Sequence, residues 1–336
     1  SRLSNAIRCY ASYARSRLFG VRAVRHMPLF VSVEPSNVCQ LRCPECPVGQ
    51  AVERNGTAPR LMQEKVWKRI LEQVAACAYT IQFYFQGEPL LNPRLPHMIF
   101  DAKTKGLYTI ISTNAQAMTP QMAEQLVSAG LNRIIISMDG ATQHTYEAYR
   151  VGGSIEQCKA AMQWLKEAKK KYNKHTIIEL QCLRLRTNEH EWNTLRRQYK
   201  ALGADRLVFK TAQLYNYADG HPLMPSQPCY NRYTKGQDGR YHRKPLSKAC
   251  LRVWSGCVIT TDGMVLPCCY DKSSQYAYGN IMNADLCTLF TNQTANAFRQ
   301  KAWREQPSIC KECGMCAKVC PYNAIAEVMR PWKRSC

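Results

Sequence analysis

From Leu29 onward the apolar residues of the chain follow two alternating rhythms. Short runs rich in β-branched and aromatic residues predict strands at Leu29–Glu34, Thr80–Phe85, Tyr108–Ser112, Arg133–Met138, Thr176–Leu183 and Arg206–Phe209. Between them, apolar positions return every three or four residues over Met62–Cys77, Pro93–Lys105, Pro120–Ala129, Ile155–Lys171 and Glu189–Leu202, which predicts helices. Gly106, Gly130 and Gly203 stand where helices should stop. Strands separated by helices and short links describe an α/β fold, a parallel sheet covered by helices.

The residues before the first strand have a rhythm of their own. Leu3, Ile7, Tyr10, Ala14, Leu18 and Val21 recur at helical spacing, which predicts a basic amphipathic helix within residues 1–28. Arg2, Arg8, Arg15, Arg17, Arg22 and Arg25 accompany them without a single acid, and Arg8, Arg15 and Arg22 fall on another face. The expectation is a helix that closes one end of the domain and keeps its basic face in water. Membrane-surface contact and a targeting role are the alternatives.

Composition narrows the class. The 336 residues suffice for one large domain and a smaller one. No uncharged apolar run of about 18 residues suggests a membrane span, and no signal-peptide core is visible. Lysine and arginine outnumber aspartate and glutamate by 46 to 24, a field that favours anionic partners. No RNA- or DNA-reading motif accompanies that charge, so no specific nucleic-acid binding is expected. Eighteen cysteines are the strongest signal. Disulfide scaffolds belong to small secreted chains, whereas clustered short spacings in a long chain point to metal ligation in a reducing cytoplasm.

The first cluster is Cys39, Cys43 and Cys46, at C-x3-C-x2-C spacing directly after the first predicted strand. Four such thiolates would close a zinc or iron–sulfur site, but three leave one iron of a cubane free of protein, open to substrate or cofactor. After the second strand comes Gln86-Gly87-Glu88-Pro89, after the third Ser112-Thr113-Asn114, and after the fourth Ser137-Met138-Asp139-Gly140, followed by Arg150 and Gly152-Gly153-Ser154. Polar and glycine residues thus gather where strands end, the place where chemistry sits in parallel barrels.

This ordered set resembles the radical S-adenosylmethionine (SAM) superfamily. The resemblance implies a six-stranded partial (β/α)6 barrel over residues 29–210. It implies a [4Fe–4S] cluster on Cys39, Cys43 and Cys46, with SAM on the open iron. In that family the reduced cluster cleaves SAM to a 5′-deoxyadenosyl radical, which abstracts a substrate hydrogen. Gly87, Glu88 and Pro89 match the motif for the SAM ammonium, with Gln86 in place of its first glycine. Ser112, Asn114, Ser137, Asp139 and Arg150 match further SAM contacts. Glu45 stands before the third cysteine, where many members carry an aromatic residue. A flavodoxin- or ferredoxin-type reductant is implied as partner. Residues 211–249, basic and rich in Gly, Pro and Tyr, are expected to form a linker covering the barrel mouth.

A second cysteine array fills residues 250–336. Cys250-x12-Gly263-x4-Cys268 resembles the start of the SPASM extension of this family, and Val258–Val265 predicts a β-hairpin about Asp262-Gly263. Cys310, Cys313, Cys316 and Cys320 have ferredoxin-like spacing. On the family's two-cluster pattern, Cys250, Cys257, Cys268 and Cys320 hold one auxiliary cluster, and Cys310, Cys313, Cys316 and Cys336 the other. On the shorter "twitch" pattern, Cys250, Cys268, Cys310 and Cys313 hold a single one. Sulfatase-maturing members place an aspartate base directly after the cysteine matching Cys268; Cys269 stands there, and the nearest carboxylate, Asp271, is the candidate base. The implied activity is oxidative modification or cross-linking of a residue in a peptide or protein. The alternative substrate is a small, polar, anionic metabolite such as a sugar or aminocyclitol, dehydrogenated or epimerised. With few residues before the first strand, no separate N-terminal peptide-recognition domain is expected, which keeps the metabolite in play. The remote alternative is a non-catalytic ferredoxin-type electron carrier, which would not need Gly87 and Glu88.

Overall fold

The computed structural model describes residues 1–20, 24–51, 58, 60–244 and 250–304. Six parallel strands form its centre, in chain order: β1 (Phe30–Val33), β2 (Thr80–Phe83), β3 (Tyr108–Thr113), β4 (Arg133–Ser137), β5 (Ile177–Arg184) and β6 (Arg206–Thr211). Helices α2 (Glu64–Val74), α3 (Leu95–Thr104), α4 (Pro120–Ser128), α5 (Gln143–Glu147), α6 (Ile155–Lys171) and α7 (Trp192–Gln198) connect them, after an N-terminal α1 (Arg2–Phe19). The predicted strands and connecting helices therefore stand where the rhythm put them, with ends shifted by a few residues. Several helices start on a hydroxyl cap: Thr119, Thr142 and Ser154 each accept a backbone N–H in the first turn.

Strand alternation gives the sheet two unlike faces. Val31, Val33, Ile81, Phe83, Ile111, Ile134, Ile136, Ile178 and Leu180 are fully buried in the helix-facing core. On the opposite face the register aligns polar groups: Ser32 donates to Gln82 at 3.2 Å, and Arg133 pairs with Glu179 at 2.5 Å, both buried. A sheet with one oily face and one polar face is built to hold polar ligands on the second.

Past the barrel strands, a small antiparallel hairpin appears within the linker, β7 (Tyr233–Lys235) and β8 (Tyr241–Arg243). Beyond it lie α8 (Leu251–Ser255), β9 (Gly256–Ile259), β10 (Met264–Leu266), β11 (Gly279–Asn280), α9 (Leu286–Thr291) and α10 (Gln293–Arg304). The predicted hairpin about Asp262-Gly263 forms. Its first strand, β9, lies parallel to β1, so the main sheet runs β11-β10-β9-β1-β2-β3-β4-β5-β6. An uncovered β1 edge would leave a row of unpaired backbone groups. Glu34, fully buried, clasps the junction: its N–H donates to Ile259 O at 2.9 Å and its carboxylate accepts from Thr261 N at 3.2 Å.

Helix α1 packs the other way round from its sequence expectation. Ala6, Cys9 and Ser16 face the domain, while Leu3, Ile7, Tyr10 and Leu18 face water. Polar anchors choose this orientation. Arg2 donates to Ala75 O and Lys105 O at the C-terminal ends of α2 and α3, and to Gly106 O. Asn5 pairs with the Met27 backbone through both amide atoms, and Cys9 Sγ donates to Trp254 O at 3.7 Å. Val21 and Arg22 lie outside the described residues.

Candidate active site at the strand ends

The loop after β1 brings Cys39, Cys43 and Cys46 onto one wall of a cavity of about 280 Å3. Gly87, Glu88, Ser112, Asn114, Ser137 and Arg150 line it as well. Local backbone bonds hold the loop in shape: Glu88 N donates to Val38 O at 2.8 Å, Arg42 N to Val151 O at 3.0 Å, and Gln50 N to Cys46 O at 2.9 Å. Glycine at 87 is a spatial requirement, because a Cβ there would lie 2.3 Å from Ser36 O. Gly49 plays the same part against the Cys43 backbone at 2.7 Å, a role the sequence did not reveal.

The donors around the sulfurs suit an iron–sulfur centre. Burial pushes the Cys39 thiol up to about 11, so without a metal it stays protonated. Metal binding displaces such protons, and N–H groups aimed at the sulfur then stabilise the thiolate. Two are present: Asn114 Nδ2 donates to Cys39 Sγ at 3.4 Å and Arg150 Nη1 to Cys43 Sγ at 3.9 Å. The sulfurs share a wall without converging on one point, and no group of three or more Cys, His, Asp or Glu side chains does so among the described residues. Three cysteines beside a polar cavity, two of them with N–H partners, fit a cluster that leaves one iron to another ligand.

Glu88 is almost fully buried, and burial raises its carboxyl above the usual carboxylate range. It accepts from Leu90 N at 3.0 Å, Thr113 Oγ1 at 2.6 Å and Asn114 N at 2.8 Å, so it also organises the end of β3. Asp139 is not on the cavity wall. Its carboxylate accepts from Arg150 Nε at 2.6 Å and from Leu183 N at 2.5 Å, which positions the arginine instead of reaching the cavity. That pair and Cys43 hold Arg150 well above the ordinary guanidinium range. Pro89 likewise stays behind the wall, opening the short 3-10 turn Pro89–Leu91.

Asp271 also stands behind the cavity wall. Its fully buried carboxylate accepts from Gln275 N at 2.8 Å and Tyr276 N at 2.9 Å, building the turn after Cys268, and it is absent from the cavity wall. A carboxylate committed to two amides in a turn is poorly placed to take a substrate proton. Gln86 reaches the cavity as well, and other residues do so unannounced: Tyr84, Phe85, Gln213, Tyr215 and Lys272. Gln86 Nε2 donates to Lys272 O at 2.8 Å, tying the Gly87-Glu88 turn to the C-terminal segment. Glu45 fastens the linker to the cysteine loop, accepting from Tyr215 N at 2.6 Å and pairing with His221 Nε2 at 3.2 Å. The only advance signal was its unusual place before Cys46.

Of the second array, Cys250 caps α8, Cys257 lies in β9 and Cys268 follows β10. Cys257 aligns with Val31 and points into the helix-facing core, close enough to Cys77 and Arg299 to feel their charge. Cys310, Cys313, Cys316, Cys320 and Cys336 lie outside the described residues. Cys39, Cys43, Cys46 and Cys257 take part in no disulfide.

A parallel sheet whose strand ends carry three cysteines and a polar pocket, with a cysteine-bearing hairpin stitched to its first strand, defines a SAM-dependent iron–sulfur enzyme. Comparison with known proteins agrees: residues 33–181 match the radical SAM superfamily and residues 250–316 the SPASM iron–sulfur cluster-binding domain. The chain belongs to the radical SAM superfamily and carries a C-terminal SPASM domain. Its cofactors are [4Fe–4S] clusters and SAM. Among curated proteins, the PqqA peptide cyclase of Rhodopseudomonas palustris is 26% identical over 317 residues, covering 87% of this chain and 80% of the cyclase. The AdoMet-dependent heme synthase of Methanosarcina barkeri is 23% identical over 335 residues, covering 89% and 91%. Among solved structures, Streptococcus suis SuiB superposes with a TM-score of 0.65 at 16% identity, covering 93% of this chain and 75% of SuiB. The anSMEcpe structure with bound AdoMet gives 0.62 at 17%, covering 86% and 88%. Both show the shared fold. No helix among the described residues is long and apolar enough to cross a membrane.

Proposed function

We propose that this enzyme oxidises or cross-links a residue of a peptide or protein in the cytoplasm, drawing electrons from a flavodoxin- or ferredoxin-type donor. The observation that carries the reading is the similarity to a peptide cyclase along 87% of the chain, barrel and C-terminal segment together. In this reading Cys39, Cys43 and Cys46 hold the cluster, and Gly87, Glu88, Ser112, Asn114, Ser137 and Arg150 receive SAM. Bound there, the cluster and SAM supply a radical that removes a substrate hydrogen. Asp139 keeps Arg150 in place, and the Glu45–His221 pair holds the linker over the site so that water is kept from the reacting atoms. Cys250, Cys268 and cysteines after residue 304 hold an auxiliary iron–sulfur centre. Lys272 and Arg150 on the wall favour a substrate with anionic groups.

A second reading keeps a small polar metabolite as substrate, favoured by the similarly matched heme synthase. One experiment separates the two. Reconstituted, reduced enzyme is incubated anaerobically with SAM and either a mixed peptide library or a panel of sugars and aminocyclitols. The expected result is peptide-stimulated formation of 5′-deoxyadenosine and a peptide product lighter by a pair of hydrogens. Stimulation by the metabolite panel alone would reverse the choice.

A further inference from the structure

Eight large hydrophobic side chains are exposed among the described residues, and five of them sit on α1: Leu3, Ile7, Tyr10, Leu18 and Phe19. Leu3, Ile7 and Leu18 each leave more than 60% of their surface in water. At 3.6 residues per turn, Leu3, Ile7, Tyr10, Ala14 and Leu18 form one stripe running the length of the helix. That stripe is turned by roughly 130° around the helix axis from the mean direction of Ala6, Cys9 and Ser16, the residues buried against the domain. By the same geometry, exposed Arg8 and Arg15 border the stripe on one side and exposed Arg17 borders it on the other. No acidic residue occurs before Glu34.

The bonds of Arg2, Asn5 and Cys9 to the domain fix this orientation, so the stripe is presented outward by a docked helix. An apolar stripe with cationic borders is the pattern of a helix lying in a bilayer interface, its apolar side chains among the acyl ends and its arginines at lipid phosphates. Two copies pairing through this face would bring arginine borders together with no acid to offset them, which disfavours a second chain as occupant. We propose that α1 docks the protein onto anionic lipid surfaces and leaves the barrel in the aqueous phase. This anchoring is independent of the substrate assignment above.

The test is co-sedimentation of the full chain, at about 0.1 M salt, with vesicles of phosphatidylcholine alone or mixed with phosphatidylglycerol. The wild type should pellet with the anionic vesicles and remain largely in solution with the zwitterionic ones. Leu3→Ser/Ile7→Ser/Leu18→Ser should lower partitioning about tenfold or more, by loss of buried apolar area. Arg8→Gln/Arg15→Gln/Arg17→Gln should lower it about tenfold on anionic vesicles and erase the preference between the two compositions. Both variants alter exposed side chains only, so their melting temperature and SAM binding should match wild type. Equal pelleting of wild type and both variants would overturn the proposal. So would a wild-type dimer, seen by ultracentrifugation without lipid, that the serine variant abolishes while vesicle binding stays absent.

Discussion

Cys43 and Cys257 are almost equally hidden, 5% and 4% exposed, one in the loop that follows β1 and the other in β9, the strand paired with β1. Cys43 turns toward a polar cavity, with a guanidinium nitrogen 3.9 Å from its sulfur and two further cysteines on the same wall. Cys257 turns toward the helix layer, where burial above all drives its thiol far above the ordinary range. Burial therefore does not mark a metal ligand. A thiol suited to hold metal is one buried beside open polar space with donors to carry the charge of a thiolate, the setting of Cys43 and Cys39.

The largest effect expected from this contrast is at the first region. Cys39→Ala/Cys43→Ala/Cys46→Ala should lose about four irons per chain and reduce 5′-deoxyadenosine formation to background, while the iron of the C-terminal array stays. Iron analysis and product chromatography on the reconstituted variant check both statements. Normal SAM cleavage by this variant would remove the assignment of the cavity.

A smaller effect is expected at Glu88, which lines the cavity and also holds the end of β3. Glu88→Gln exchanges an acceptor for a donor among Leu90 N, Thr113 Oγ1 and Asn114 N. SAM affinity should fall by about 1.5–3 kcal/mol, the scale of a charged hydrogen bond. Iron content should remain unchanged. Calorimetric titration with SAM and a thermal melt separate the two roles: a lower melting temperature with undiminished SAM affinity would make Glu88 a purely structural residue.

Where the sequence was informative, the reason is locality. The strands at Thr80–Phe83 and Arg133–Ser137 were legible because their apolar residues fill a buried sheet within one short segment. The cysteine loop was legible because its three thiols lie within eight residues. The missed features depend on partners far along the chain. Gln86 finds Lys272, Glu45 finds Tyr215 and His221, and β9 finds β1, and none of these pairings leaves a local pattern. Asp139 and Asp271 sat beside recognised motifs, but nearby backbone amides and Arg150 take up their oxygens. On α1 the periodicity was real but its direction was not legible. Carbonyls at the ends of α2 and α3 recruit Arg2, and so decide which face turns inward.

The smallest expected effect returns to Cys257 and chooses between the ligand patterns of the second array. The two-cluster pattern uses Cys257, and the single-cluster pattern does not. Aligned with Val31 in the middle of β9 and packed in the helix-facing core, where Cys268 also stands, Cys257 is expected to act as a small apolar residue. Cys257→Ala should therefore keep its full iron content and lose only about 1–2 kcal/mol of stability, from the cavity left by one sulfur. Cys268→Ala, in contrast, should lose about four irons. Mössbauer spectra and iron counts of the two variants, measured beside wild type, read the difference directly. Loss of a cluster in Cys257→Ala would place that sulfur among the ligands and restore the pattern with two auxiliary centres.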